Sequence, residues 1–313
     1  MSNISAAGFA GLFLKGLAMG AANVIPGVSG GTIALITGIY ERLIDAIKSF
    51  DHKVLALLIK RQFKQAWQAV DGTFLSAVLL GVGISIVSLA KLLEYLLEHH
   101  ELLTMAFFFG LILVSVYFVG KTVRQWGALS IVMLVLGTVI AVAIATLAPA
   151  TENASFFYVF LCGIVAICSM ILPGLSGSFV LIIMGNYALI LGAIGRADMG
   201  VLLPLLLGCG FGLVAFSHIL SWVFKHFHDA TLALMTGFIL GSLAIIWPWK
   251  TTLIETIQRA GKPAKEVVSG YEWFFPSLLD TSNWLAILLA IAGGISIYLM
   301  EKFAHSGETS TAS

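Results

Sequence analysis

Residues 26–31 read Pro-Gly-Val-Ser-Gly-Gly and are followed by Gly-Ile-Tyr at 38–40. Residues 173–178 read Pro-Gly-Leu-Ser-Gly-Ser and are followed, at the same spacing, by Gly-Asn-Tyr at 185–187. Both copies lie in long apolar stretches, where Pro, Gly and Ser interrupt a helix and leave backbone N–H and C=O groups without helical partners. Lipid cannot satisfy those groups, so such a break is tolerated only against protein or a polar cavity. A broken helix in each of two halves predicts a transporter with its binding site at the breaks.

The composition around these motifs is that of a polytopic membrane protein. Of 313 residues, 59% are hydrophobic and 11% are charged, whereas soluble domains carry about a quarter charged residues. Several apolar runs approach the roughly 20 residues that a membrane helix needs, so we expect an all-α membrane fold. The net charge of +1 gives no basic footprint for nucleic acid, and we expect no nucleic-acid partner. The three cysteines lack metal-ligand spacing, so we expect neither a metal nor another cofactor.

The two motif copies belong to a longer internal repeat. When the motifs are aligned, further residues match at fixed offsets. Among the matched pairs are Gly16 with Gly163, Gly81 with Gly208, Gly110 with Gly237, and Ser115 with Ser242. This predicts a first membrane repeat over 1–150, a second over 151–303, and a disordered C-terminal tail over 304–313. The segment 51–71 occurs only in the first repeat.

Each repeat is predicted to contain a broken helical element followed by three spans. The predicted spans are 8–25 with 29–48, then 73–97, 102–120 and 128–148, and in the second repeat 156–172 with 177–194, then 201–224, 231–247 and 283–300. The broken element is either a re-entrant hairpin or two spanning arms. A hairpin crosses the membrane zero times and two arms cross it twice, so three further spans make the total odd in either case. The second repeat is therefore predicted to be inverted relative to the first.

Loop charges orient the predicted topology. Basic residues concentrate on one side of the membrane, which the positive-inside rule makes cytoplasmic. They are Arg42, Lys48, Lys53, Lys60, Arg61, Lys64, Lys121, Arg124, Lys225 and Lys302. Both termini are then cytoplasmic, and the aromatic-rich loop 248–282 is an interfacial periplasmic element. The segment 51–71 is either an amphipathic helix on the cytoplasmic leaflet or a solvated connector.

The motif residues predict an anion site. Ser29 and Ser176 are good N-cap residues, and a helix that starts inside the membrane directs unpaired N–H groups and its positive dipole end into a cavity. Glycines directly after each serine allow a ligand to approach the backbone. The candidate phosphate-binding residues are Lys15, Asn23, Ser29, Gly30, Gly31, Thr32, Arg42, Ser176, Gly177, Ser178 and Asn186. The alternative is close helix packing through small residues.

Ionisable residues near the breaks suggest how charge is handled, because intramembrane charges are costly and mark function. Lys15 lies deep in the first apolar run, whereas Arg42 is equally well explained by snorkelling to the interface. Glu41 is the first candidate for proton coupling and His218 the second, although a structural role for that histidine remains open. The sequence contains no metal-spaced His/Asp/Glu set and no basic phosphatase-type cluster with a paired catalytic histidine, so we expect no enzyme activity.

The run from Lys15 through Asn23 and 26–32 to Gly38-Ile39-Tyr40-Glu41 resembles a bacterial and archaeal membrane family. This family, formerly a domain of unknown function, is associated with polyprenyl-phosphate translocases of the PopT type. The resemblance covers nearly the whole chain. It implies a lipid flippase in the bacterial inner (plasma) membrane that returns undecaprenyl phosphate from the outer to the inner leaflet for cell-wall biogenesis.

Two other functions stay open on the residues alone. An ion-coupled transporter of a small water-soluble anion would show the same paired broken helices. An intramembrane lipid-phosphate enzyme is the less favoured alternative. The expected partners are a polyprenyl-phosphate lipid, membrane lipids and protons as coupling ion, and the sequence gives no oligomeric state.

Overall fold

The computed structural model of the chain describes residues 6–24, 29–147, 150–257, 265–277 and 280–309. Fourteen helices and two strands form within these residues. The predicted first repeat holds α1 (Ala6–Val24), α2 (Gly30–Ile36), α3 (Tyr40–Lys48), α4 (His52–Ile59), α5 (Phe63–Ala69), α6 (Gly72–His99), α7 (Glu101–Thr122) and α8 (Ala128–Thr146). The second holds α9 (Phe156–Ile171), α10 (Gly177–Ile183), α11 (Tyr187–Arg196), α12 (Met199–His226), α13 (His228–Ile246), β1 (Lys250–Ile257), β2 (Lys265–Trp273) and α14 (Thr281–Thr309).

Six of the described helices are long and apolar enough to cross a membrane, and the bent pair α10–α11 would make a seventh span. The six are α6, α7, α8, α12, α13 and α14, each close to a predicted span. The prediction of long apolar helices from run length is therefore confirmed. The chain is a multi-span membrane protein.

The predicted second arms, 29–48 and 177–194, are each two helices rather than one. Gly38 has φ +71° and Gly185 has φ +73°, so both adopt the left-handed conformation that ends a helix. The break at Gly185 turns the chain by 113° between α10 and α11. The glycine of each Gly-x-Tyr segment thus supplies a bend that the expectation of one continuous arm overlooked.

Two further predictions need correction. The fold is not all-α, because β1 and β2 form an antiparallel hairpin within 248–282, with Lys250 paired to Trp273. These stretches are rich in Thr, Ile, Val and aromatic residues, which strands favour. The helix α14 continues to Thr309, into the segment 304–313 that was expected to be a disordered tail. Residues 310–313 lie outside the described part of the chain.

The segment 51–71 folds into two short helices, α4 and α5, which pack on each other through Val54, Ala66 and Val70. Arg61, with φ +55°, separates the two helices, so the segment is not one continuous helix. Apolar side chains stay exposed on this helical pair, including Ile59 and Phe63.

Glycines allow close contact between helix pairs inside each repeat. In the first, α1 and α6 run parallel, and a Cβ on Gly16 would collide with the Val78 carbonyl. In the second, α9 and α12 run parallel, and a Cβ on Gly163 would collide with the Leu205 carbonyl. The same contact therefore recurs at positions that the sequence repeat matches.

Between the repeats, α7 packs along α14 and α8 along α13, again through glycines against backbone. The contacts pair Gly110 with Ala290, Gly293 with Phe107, Gly137 with Leu234, and Gly237 with Leu134. In each of these two pairs, one helix comes from the first half of the chain and the other from the second half.

The bundle has two distinct ends. At the first, here called the turn end, the α7–α8 turn meets the start of α13, where Asp229 accepts hydrogen bonds from the amides of Arg124 and Gln125 at 3.2 and 3.0 Å. The opposite end, the hairpin end, carries β1–β2 after α13. Both α8 and α13 begin at the turn end and run to the hairpin end.

Candidate anion-binding site

The two motif copies meet inside the bundle. The Ser29 hydroxyl lies 3.3 Å from the carbonyl oxygens of both Met170 and Leu172, directly before the second motif. The Thr32 hydroxyl oxygen accepts a hydrogen bond from the Gly174 amide at 3.1 Å. Residues 25–28 lie outside the described residues, so the first motif is described from Ser29 onward. These contacts bring together segments about 140 residues apart in sequence.

Ser29 caps α2 as predicted for its residue type, and the cap uses the local backbone donors. Its Oγ accepts from the Gly31 amide at 3.1 Å, and its carbonyl accepts from the Thr32 amide at 2.9 Å. The Asn23 side-chain oxygen accepts from the Gly30 amide at 2.8 Å. The first three amides of α2 therefore have acceptors within the protein in this conformation, and an anion would have to replace them.

The second copy is built differently. Ser176 precedes α10 but makes no side-chain cap, and its hydroxyl lies 2.9 Å from that of Ser178. Gly177 faces the Met170 side chain and the Ala166 carbonyl, so its missing Cβ permits close packing against α9. Close packing, the alternative reading of the glycines, thus accounts for Gly177.

Lys15 contacts the far end of α2 rather than its beginning. Its ammonium donates to the Thr37 carbonyl at 2.8 Å, at the C-terminal end where the helix dipole is negative. Ser29 and Thr37 are separated by the length of α2, about 12 Å at 1.5 Å per residue. A single phosphate cannot contact Ser29 and Lys15 together in this conformation.

The second copy places a neutral group at the matching position. The Tyr158 hydroxyl donates to the Met184 carbonyl at 2.9 Å, and Met184 aligns with Thr37 in the repeat. Tyr158 comes from α9, as Lys15 comes from α1. Tyr158 is not among the residues predicted from the sequence, although it lies one helical turn before Cys162, the residue that aligns with Lys15.

Asn186 is fully buried and its amide bonds to protein. Its Nδ2 donates to the Asn153 carbonyl at 2.8 Å, and its Oδ1 accepts from the Asn153 amide at 2.9 Å. Its Nδ2 also lies 3.5 Å from the Cys162 sulfur. These contacts fasten the α10–α11 bend to the segment before α9, which is a structural role.

Arg42 lies at the surface of the turn end. Its Nε is 2.7 Å from an Asp71 carboxylate oxygen, and its guanidinium covers the Phe74 ring at 4.3 Å. The side chain is 43% exposed. This geometry fits the snorkelling alternative and joins α3 to the start of α6.

The two candidates for proton coupling have different surroundings. A Glu41 carboxylate oxygen lies 3.2 Å from Nε2 of His228, whose Nδ1 lies 3.2 Å from Asp229. His218 is exposed on α12, and its Nδ1 lies 2.9 Å from the Val214 carbonyl one turn earlier. The partner of Glu41 was missed in the sequence because His228 is 187 residues away. Within the described ranges, no group of three or more His, Cys, Asp or Glu residues could hold a metal ion.

Comparisons with known proteins identify the family of this chain. Residues 19–264 match the model of the VCA0040-like, undecaprenyl phosphate translocase-like family. A polyprenyl-phosphate transporter of Vibrio cholerae is 40% identical over 94% of this chain and 96% of its own length. One of Staphylococcus aureus is 33% identical over 77% of this chain and 87% of its own length. No solved structure matches the chain. The chain belongs to the undecaprenyl phosphate translocase-like family.

Proposed function

We propose that this protein moves undecaprenyl phosphate from the outer to the inner leaflet of the bacterial plasma membrane, without chemical change to the lipid. The names of its relatives in Vibrio cholerae and Staphylococcus aureus support a polyprenyl-phosphate substrate. The observation that carries the proposal is the contact between the motif copies, where Thr32 bonds to Gly174 and Ser29 reaches Leu172. A substrate site between two repeats is the arrangement expected of an alternating-access transporter.

The repeats are proposed to be inverted and re-entrant. In the first, the contacts of Lys15 with Thr37 and of Arg42 with Asp71 return the chain to the turn end after α2. In the second, the contacts of Asn186 with Asn153 return it to the hairpin end after α10. The two hairpins then open toward opposite ends and meet at Ser29 and Gly174.

The turn end is proposed to be cytoplasmic and the hairpin end periplasmic. Arg42, Arg124 and Lys225 lie at the turn end, which follows the positive-inside rule. The first helix runs parallel to α6, which begins at the turn end, and α14 runs parallel to α7, which finishes there. Both chain termini are therefore proposed to be cytoplasmic.

The prenyl tail has apolar surface available beside the bundle. A groove of about 720 Å³ lies between α7 and α14, with Leu113, Ile291 and Tyr298 among its lining residues and Lys121 also contributing. A second apolar cavity of about 530 Å³ lies at the hairpin end under Trp247 and Phe274. The tail can stay in lipid along such surfaces while only the phosphate crosses, which favours a lipid substrate over a small water-soluble anion.

The first repeat is proposed to grip the phosphate. Lys15 would exchange the Thr37 carbonyl for the phosphate, while the Ser29 cap would release the Gly31 amide to it at the other end of α2. Moving negative charge into a negative interior costs about 2.3 kcal/mol per charge per 100 mV. A phosphate monoester carries between about one and two charges near neutral pH, so we propose proton coupling, with Glu41, which lies beside His228, as the first candidate and His218 as the second.

The test follows undecaprenyl phosphate in proteoliposomes. Thr32→Val removes the hydroxyl that joins the two motif copies, and the matched control Thr37→Val removes one that bonds only within α2, to Ile33 and Ala34. Thr32→Val leaves the buried Gly174 amide unpaired, which costs about 1–3 kcal/mol, and we expect its transport rate to fall about tenfold or more. Thr37→Val leaves no amide unpaired, so we expect the control to keep the wild-type transport rate.

Two further measurements distinguish a lipid transporter from a small-anion transporter and from an enzyme. Uptake of inorganic phosphate by the same vesicles, without movement of the lipid, would indicate a small-anion transporter. Release of phosphate from the lipid would indicate an enzyme. Failure of the folded wild-type protein to move the lipid would remove the proposed function.

A further inference from the structure

A polar cavity of about 280 Å³ lies at the turn end, apart from the paired motifs. It is enclosed by α3, the α7–α8 turn, the end of α12 and the start of α13. The ionisable and polar residues that line it are Glu41, Asp45, Arg124, Ser221, Lys225 and His228. We call it the turn-end cavity. It brings together side chains from both repeats.

The acidic and polar groups of the cavity have partners. Glu41 contacts His228, and the Asp45 carboxylate accepts a hydrogen bond from the Ser221 hydroxyl at 3.0 Å. Lys48, behind this pair, donates to the same hydroxyl at 3.1 Å. These contacts fix the carboxylates on the α3 side of the cavity.

The basic groups on the other side are not matched in this way. Within the part of the chain that the structure describes, neither the Arg124 guanidinium nor the Lys225 ammonium has an ion pair or a hydrogen bond. Both line the cavity, together with the imidazole of His228. An arginine, a lysine and a histidine from three different elements thus line one polar cavity, with Arg124 and Lys225 also exposed at the surface.

Such a set suits a phosphate monoester. Arg presents a planar fork of donors that matches phosphate oxygens, and Lys adds a point charge. A cavity of about 280 Å³ has room for a phosphate group with bound water, since each water takes about 30 Å³ in the liquid. A phosphate here would give Arg124 and Lys225 the acceptors that they lack, and Glu41 would turn away from the incoming negative charge.

We propose that the turn-end cavity is a second phosphate-binding site, which holds the phosphate through Arg124, Lys225 and His228 on the cytoplasmic side of the paired motifs. This rests on the proposed function for its place in transport, where it would receive the headgroup after it passes Ser29. The shared chemistry is a phosphate monoester or free phosphate. The two sources are separated by experiment.

The test uses full-length protein in nanodiscs and two probes. Inorganic phosphate is titrated into discs without polyprenyl lipid, and undecaprenyl phosphate is incorporated in a second set. The double variant Arg124→Gln/Lys225→Gln is compared with Lys53→Gln/Lys64→Gln, which removes equal charge from exposed positions on α4 and α5. We expect binding to weaken about tenfold or more in the first, as loss of charge-assisted hydrogen bonds implies, and to stay near wild type in the second.

Weakened binding of undecaprenyl phosphate assigns the cavity to the lipid headgroup, and weakening confined to inorganic phosphate assigns it to the free ion. Wild-type affinity for both probes in the double variant overturns the site. If the double variant does not fold, Lys225→Gln alone, an exposed position, decides by the same criterion. A wild-type protein that binds in the cavity but moves no lipid removes the proposed function and leaves the site standing.

Discussion

The two motif copies have equivalent hydrogen bonds to the backbone, but the side chains that make these bonds differ in charge. At the carbonyl that ends the first short helix, Lys15 donates to Thr37 in the first copy and Tyr158 donates to Met184 in the second. The hydrogen bond is conserved in geometry, 2.8 against 2.9 Å, but only one of the donors carries charge. Both copies therefore have a hydrogen bond to this carbonyl, but the donor is charged only in the first copy, where it is Lys15.

The helix caps also differ between the two copies, since only the first copy has a side-chain cap. Ser29 caps α2 and reaches across to the second motif, whereas Ser176 bonds to its neighbour Ser178. We propose that the first copy binds the phosphate and that the second copy has a structural role.

The largest loss of stability is expected at the glycine contacts that occur in both halves of the chain. Gly81→Ala and Gly208→Ala each place a Cβ against backbone, on Phe13 and Phe160 respectively. Because backbone cannot move aside cheaply, we expect a loss of about 2 kcal/mol or more from either variant. Thermal unfolding in detergent measures it.

The matched controls lie two residues further along the same helices. Gly83 and Gly210 have nothing within 4 Å of an added Cβ, so Gly83→Ala and Gly210→Ala should be neutral or gain about 0.5–1 kcal/mol from helix propensity. Equal destabilisation by all four substitutions would contradict the claim that Gly81 and Gly208 make equivalent close contacts between helices.

The next effect concerns the second copy alone. Asn186→Ala leaves the Asn153 backbone groups without their buried partners, and we expect a cost of about 1–3 kcal/mol. The aligned residue in the first copy is Ile39, for which no equivalent amide exists. Thermal unfolding measures this loss too, and an unchanged melting temperature would contradict the structural role.

A smaller effect tests the caps. Ser29→Ala removes an N-cap, which typically costs about 1 kcal/mol, whereas Ser176→Ala removes no cap and should cost less. The two variants are compared side by side by thermal unfolding. The asymmetry would be refuted if the second substitution were the more damaging.

Many of the helices were predictable from the sequence because they depend on local patterns. Long apolar runs predicted the spans. Gly16 and Gly163, matched in the sequence alignment of the two halves, make equivalent contacts, with Val78 and Leu205 respectively. The bends at Gly38 and Gly185 were missed because a glycine in an apolar run also fits a continuous helix. The strands β1 and β2 were missed because the aromatic residues of that loop suggested only an interfacial position.

The site was less predictable because its contacts are long-range. Ser29 as a cap follows from residue type and position. The contact of Lys15 with Thr37 depends on how α1 packs against α2, and that of Glu41 with His228 joins the two repeats. Neither distance can be read from spacing along the chain.

The smallest effect concerns a second lysine that bonds to a helix-ending carbonyl, at the hairpin end. Lys250 contacts the Ile245 carbonyl and lies over the Tyr271 ring at 4.5 Å. Burial lowers the pKa of Lys250 to about 8, with Glu101 opposing the shift. The unfolded chain then binds more protons between about pH 8 and the ordinary lysine pKa, so stability rises with pH in that window.

Between pH 7 and 9 we expect the free energy of unfolding to increase by about 1 kcal/mol from this group. Lys250→Met should lack the increase and be the more stable protein at pH 7. Thermal unfolding at both pH values provides the comparison with wild type. A rise that persists unchanged in Lys250→Met would assign it to another group.

The central claim is that the first copy grips the phosphate and the second supports it. Its most direct test is the rate at which undecaprenyl phosphate leaves one leaflet in proteoliposomes containing Lys15→Met or Tyr158→Phe, two variants that each remove a donor to an equivalent carbonyl. We predict that Lys15→Met loses about tenfold or more, because a charge-assisted hydrogen bond is worth about 1.5–3 kcal/mol, while Tyr158→Phe stays near the wild-type rate. Equal rates in the two folded variants, or a greater loss in Tyr158→Phe, would contradict the account.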